Sequence, residues 1–135
     1  MIYKIAQIEG IGPVYAEKLE AVGVKTTFML LKQAGKPAGR KQLAEETNIP
    51  EKLILKWANH ADLMRVKGVG GQYAELLEAA GVDTVKELRH RVAANLQPKL
   101  EEINAAKHIC GRVPALVEVE RMIERSKQLA PMLEY

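Results

Sequence analysis

The chain predicts an all-α fold, and three observations carry that expectation. A glycine-bearing segment with helix-start character occurs twice, the apolar residues are aliphatic rather than aromatic, and no alternating strand pattern stands out. The first copy reads Ile8-Glu9-Gly10-Ile11-Gly12-Pro13-Val14-Tyr15-Ala16 and the second, 58 residues later, reads Val66-Lys67-Gly68-Val69-Gly70-Gly71-Gln72-Tyr73-Ala74. Without a gap, residues 8–30 and 66–88 share 12 identities in 23 positions, a density that indicates one structural unit used twice. Apolar residues make up 47% of the 135 but only six are aromatic, so the core must be built from Leu, Ile, Val and Ala.

The elements follow in order. Ile2, Ile5 and Ile8 have helix-compatible spacing and predict a short lead-in helix. Pro13 suits the first turn of a helix over 13–22, which Gly23 ends as a left-handed C′ residue. Thr26 is placed to N-cap a helix over 27–33. Gly35 to Gly39 reads as a break, followed by helices over 40–47 and 51–59. Asp62 is expected to cap a short helix over 63–66 that opens the second copy, which then runs 71–80, stops at Gly81 and restarts over 84–92. Helices over 98–109, opened by Pro98, and 115–129 complete the chain. The pair Asn48-Ile49 with Lys52-Leu53 is echoed by Asn95-Leu96 with Lys99-Leu100. The natural division is a first unit over 1–61 with an inserted helical pair and a second over 62–135 with C-terminal helices.

Within each copy the glycines permit a tight turn, the central Ile11 or Val69 plugs the space between helices, and Ala16 or Ala74 lets helices cross closely. The turn leaves amide donors unpaired at the head of the next helix, where they and the positive helix end favour an anion. These residues resemble the helix-hairpin-helix motif, whose core reads apolar-x-Gly-apolar-Gly-x-x-x-Ala. The resemblance implies two fused helix-hairpin-helix (SAM-like) units with additional packing helices. It also implies sequence-independent binding of nucleic-acid backbone, most simply double-stranded DNA, through backbone amides. On Leu55 to Tyr73 and Val119 to Lys127 the chain further resembles a bacterial family of that clan known as a domain of unknown function. The contacts implied are Gly10, Ile11, Gly12 and Val14 in the first turn and Gly68, Val69, Gly70, Gly71 and Gln72 in the second, with Lys18, Arg65 and Lys67 adding charge. In relatives, hairpin carbonyls hold a monovalent cation, so Na⁺ or K⁺ is implied as a candidate; no other cofactor is expected.

Two further readings stay open. A protein-interaction module using the hairpins for packing is favoured by Glu9, which would repel phosphate, and by a net charge of only +3. All of that excess lies in residues 1–61, with nine basic and six acidic side chains against eleven of each in 62–135. A helix-turn-helix regulator is suggested by residues 42–57, with Lys52, Lys56 and Asn59 as base-reading side chains. Basic groups also cluster at Lys32, Lys36, Arg40 and Lys41 and at Lys86, Arg89, His90 and Arg91. His60, His90 and His108 form no ligand spacing and Cys110 is alone, so neither metal chemistry nor catalysis is expected. No small-molecule substrate is evident. No apolar run approaches a membrane span, and a cytoplasmic protein is the economical expectation.

Overall fold

The computed structural model describes residues 2–135, and within them the regular structure is entirely helical. A 3₁₀ turn at Ile5–Gln7 precedes α1 (Pro13–Ala21), α2 (Thr27–Ala34), α3 (Pro37–Thr47), α4 (Glu51–Leu63), α5 (Gly71–Ala79), α6 (Val85–Leu88), α7 (Ala93–Lys107) and α8 (Leu116–Ser126). Helices α2, α3 and α4 pack on one another, α5 and α6 pack with α7 and α8, and α4 joins the groups by packing on α5.

Helix α4 is the centre. Ile54, Trp57, Ala58 and Ala61 are buried at helical spacing, and Tyr15 of α1 packs on Trp57 with ring centroids 5.0 Å apart. Its C-terminal half is buried all round, which requires partners for its polar residues. Asn59 accepts from the Tyr135 hydroxyl at 2.8 Å. Asp62 accepts from the Val85 amide at 2.9 Å and pairs with Arg65 at 2.8 Å. His60 is fully buried with Nε2 2.9 Å from the Glu78 carboxylate. Burial raises the Glu78 pKa, but His60 and then Lys56 outweigh it and hold the carboxyl below its ordinary range.

These contacts change several expectations. Helix α4 runs unbroken through the border drawn between residues 61 and 62, and no separate helix forms over 63–66. Asp62 caps α6 instead. The break after α2 is short, because Pro37 serves as a first-turn residue and Gly39 lies inside α3 against the Gln33 carbonyl. Helix α6 spans one turn rather than continuing to 92. Helix α7 starts five residues before Pro98: the Asn95 and Leu96 amides bond the Val92 carbonyl, so the first turn is complete before the proline is reached. Asn48 is left-handed between α3 and α4 whereas Asn95 lies within α7, so the echo between them is not conformational.

The last residues form a strap. The Glu134 amide bonds the Gly35 carbonyl at 2.8 Å, and the buried Arg40 guanidinium donates to the carbonyls of Ala34, Gly35 and Glu134. Arg40 is therefore an internal tie and not part of a basic surface cluster. Arg89 likewise donates to the Leu129 carbonyl at 2.6 Å. No helix among the described residues is long and apolar enough to cross a membrane.

Candidate functional site

The two glycine turns are built by the same hydrogen bonds. Ile11 bonds back to Ile8 and Val69 to Val66; Ala16 bonds Gly12 and Ala74 bonds Gly70; Val24 bonds Leu19 and Val82 bonds Leu77. Gly10 and Gly68 have φ of +90° and +98°, and Gly23 and Gly81 both have φ of +88°. Left-handed backbone of this kind is cheap only for glycine. Thr26 and Thr84 each cap the following helix by accepting an amide three residues on, at 3.2 Å. Ile11 and Val69 are buried under the turns, so their side chains anchor the turns and contact nothing outside.

Gly12 and Gly70 stand at the N-cap positions of α1 and α5 in extended backbone, with no side chain to accept the helix's first amides. Among the described residues, no acceptor meets the amides of Gly12 and Val14, or those of Gly70 and Gln72. A Cβ at Gly12 or Gly70 would have nothing within 4 Å. Gly12, Pro13 and Val14 are exposed, Val14 by 67%.

The turns are neighbours, and their surroundings differ. The backbone just before the first turn crosses the head of α5: a Cβ at Gly71 would run into the Gln7 carbonyl, and Glu9 Cγ would lie 3.6 Å from it. Tyr3 reaches the Val69 carbonyl at 3.5 Å. A carboxylate of this chain therefore stands beside the positive end of α5. On the other flank, Arg125 of α8 donates to the Lys67 carbonyl at 2.8 Å and lies 3.5 Å from where a Gly68 side chain would start. A monovalent cation seated on the Lys67 carbonyl would meet this guanidinium.

Of the predicted charge donors, Lys67 is exposed, Lys18 is half-buried on α1, and Arg65 is tied to Asp62. Arg125 escaped the sequence reading, since nothing local links a last-turn arginine to a turn 58 residues earlier. Of the three side chains named for the helix-turn-helix reading, Asn59 is buried against Tyr135, while Lys56 is exposed, 3.7 Å from Glu78. Behind the second turn, the Tyr73 hydroxyl donates to the Arg112 carbonyl at 2.9 Å. Arg112 makes a two-pronged pair with Glu118, whose pKa it pulls down to about 2 with help from the Ala115 amide.

Fold and site together define an all-helical protein that presents two adjoining, uncapped glycine turns at the heads of helices. Residues 9–129 match the family model described as a domain of unknown function (DUF4332), and the chain belongs to that family. No curated protein and no solved structure matches it.

Proposed function

We propose that this is a non-enzymatic module of two helix-hairpin-helix units that binds nucleic-acid backbone, most simply double-stranded DNA, without reading sequence. The observation that carries this reading is the open head of α1. Gly12 leaves the first amides of α1 without a side-chain cap, beside exposed backbone on a turn braced by buried Ile11. Donors fixed in that way suit a phosphate oxygen and carry no base information. The second turn contributes through exposed Lys67 and through Arg125, while Gly71 is taken up by packing against Gln7. The test is a salt titration of binding to duplex DNA of several unrelated sequences. Backbone binding predicts equal affinities and a log–log slope of about −0.9 per phosphate neutralised.

A second reading, a protein-docking module, is favoured by one specific observation. Val14 offers an apolar side chain 67% exposed at the head of α1, where a phosphate would gain nothing from it. That reading predicts no duplex binding even at low salt.

A further inference from the structure

The proposed backbone contacts do not account for a patch on the first half. Phe28 and Met29, in the first turn of α2, are 47% and 40% exposed, and Ile2 is 66% exposed. Lys4 bridges Thr26 in an isolated antiparallel contact, and Tyr3 and Thr27 bond each other, so the backbone at Tyr3 and Lys4 lies beside the start of α2. At this contact Ile5 and Thr27 are buried, while Ile2, Lys4 and Phe28 are exposed. Lys32 stands four residues after Phe28 on the same helix, where side chains are neighbours, and Lys25 lies three before it. Lys4, Lys25 and Lys32 are all exposed, and among the described residues none of them pairs with a carboxylate. The position matching Phe28 in the second copy is Lys86, so this aromatic belongs to the first half alone.

An exposed aromatic face flanked by uncompensated lysines suits a base that is not already stacked, with its phosphates on the cations. A paired base in a duplex has no free face to offer. A membrane is the poorer fit: α2 has eight residues, and its other face, Leu30, Leu31 and Ala34, is buried in the core, so it cannot sink into lipid. We infer that Phe28, with Lys4, Lys25 and Lys32 around it, is a stacking site for an unpaired base of single-stranded nucleic acid. The inference rests on the nucleic-acid reading above and names the form of strand this face takes.

The test compares a fluorescently labelled oligothymidylate with a duplex by anisotropy, for the full chain and its variants. Phe28→Ala should weaken oligothymidylate binding roughly tenfold while Phe28→Trp retains it. Phe28→Ala should leave duplex affinity within about twofold, because phosphate contacts carry it, and the melting temperature unchanged. Replacing Lys25 and Lys32 together by Gln should reduce the salt slope for the single strand by about 1.4. Unchanged oligothymidylate binding by Phe28→Ala overturns the stacking site and leaves the glycine-turn reading standing. Binding to phosphatidylglycerol vesicles that Phe28→Ala abolishes, with no oligothymidylate binding, assigns the patch to lipid and overturns it as well. A wild-type chain that binds neither nucleic acid at low salt retires both readings.

Discussion

The first and second glycine turns share their backbone, and their environments have diverged. Both have the same left-handed first glycine, the same uncapped extended second glycine and the same buried plug. Yet position 13 is an exposed Pro and position 71 a half-buried Gly, because only the second helix head carries another backbone laid across it. Tyr15 stacks on Trp57, whereas its counterpart Tyr73 hydrogen bonds to Arg112. Local sequence sets the shape of such a turn; what packs beside it sets whether an anion can reach its amides.

The contrast is most easily broken at positions 13 and 71. Gly71→Ala should cost about 2 kcal/mol, since the new methyl meets the Gln7 carbonyl and neither backbone can yield freely. Pro13→Ala should cost less, about 0.4–1 kcal/mol, through the freedom it returns to the unfolded chain. Equal effects in chemical denaturation would mean that the two heads are packed alike. Gly10→Ala and Gly68→Ala should behave as a matched pair and each lose about 1–2 kcal/mol, because both φ values are left-handed. A large difference between them would break the shared-backbone half of the comparison.

Glu9 offers a finer probe, because it sits beside the head of α5. Removing its charge with Glu9→Gln should raise duplex affinity about threefold at low salt, an effect that fades as salt screens it. A fall in affinity would mean that Glu9 organises the turn and does not compete for it. The smallest effect concerns acid. The Glu118 carboxyl is held down to about 2 by Arg112 and the Ala115 amide. A depressed carboxyl pKa contributes stability above its unfolded value, near 4.3, and loses it as pH falls from there toward the folded value. The drop in melting temperature across that window should be shallower in Glu118→Gln, and an identical drop would mean that the Arg112–Glu118 pair contributes nothing to stability.

Much of the architecture was legible from local rules. The C′ glycines at 23 and 81, the cap at Thr26 and the starts of α1, α2 and α5 all rest on residues within one turn of the feature they specify. The end of α4 was not legible. Asn59, His60 and Asp62 interrupt the apolar period and look like a helix end, but their partners Tyr135, Glu78 and Val85 lie far along the chain and make burial tolerable. Pro98 misled for a related reason: it marks a helix start only when no turn precedes it, and the buried Leu96 secures one. The amides of the candidate site could be named from sequence; the crossing of Gln7 over Gly71 and the reach of Arg125 to Lys67 depend on tertiary packing that no local pattern encodes.

The most direct test of the open head of α1 is Gly12→Asp, measured for duplex affinity and melting temperature together. The backbone at Gly12 already has N-cap geometry and room for a side chain, so aspartate caps the amides itself and puts negative charge where a phosphate would bind. The account predicts a melting temperature equal to or above that of the wild type and duplex affinity reduced roughly tenfold or more, the scale of one lost charge-assisted contact. Undiminished binding with the fold intact would contradict it.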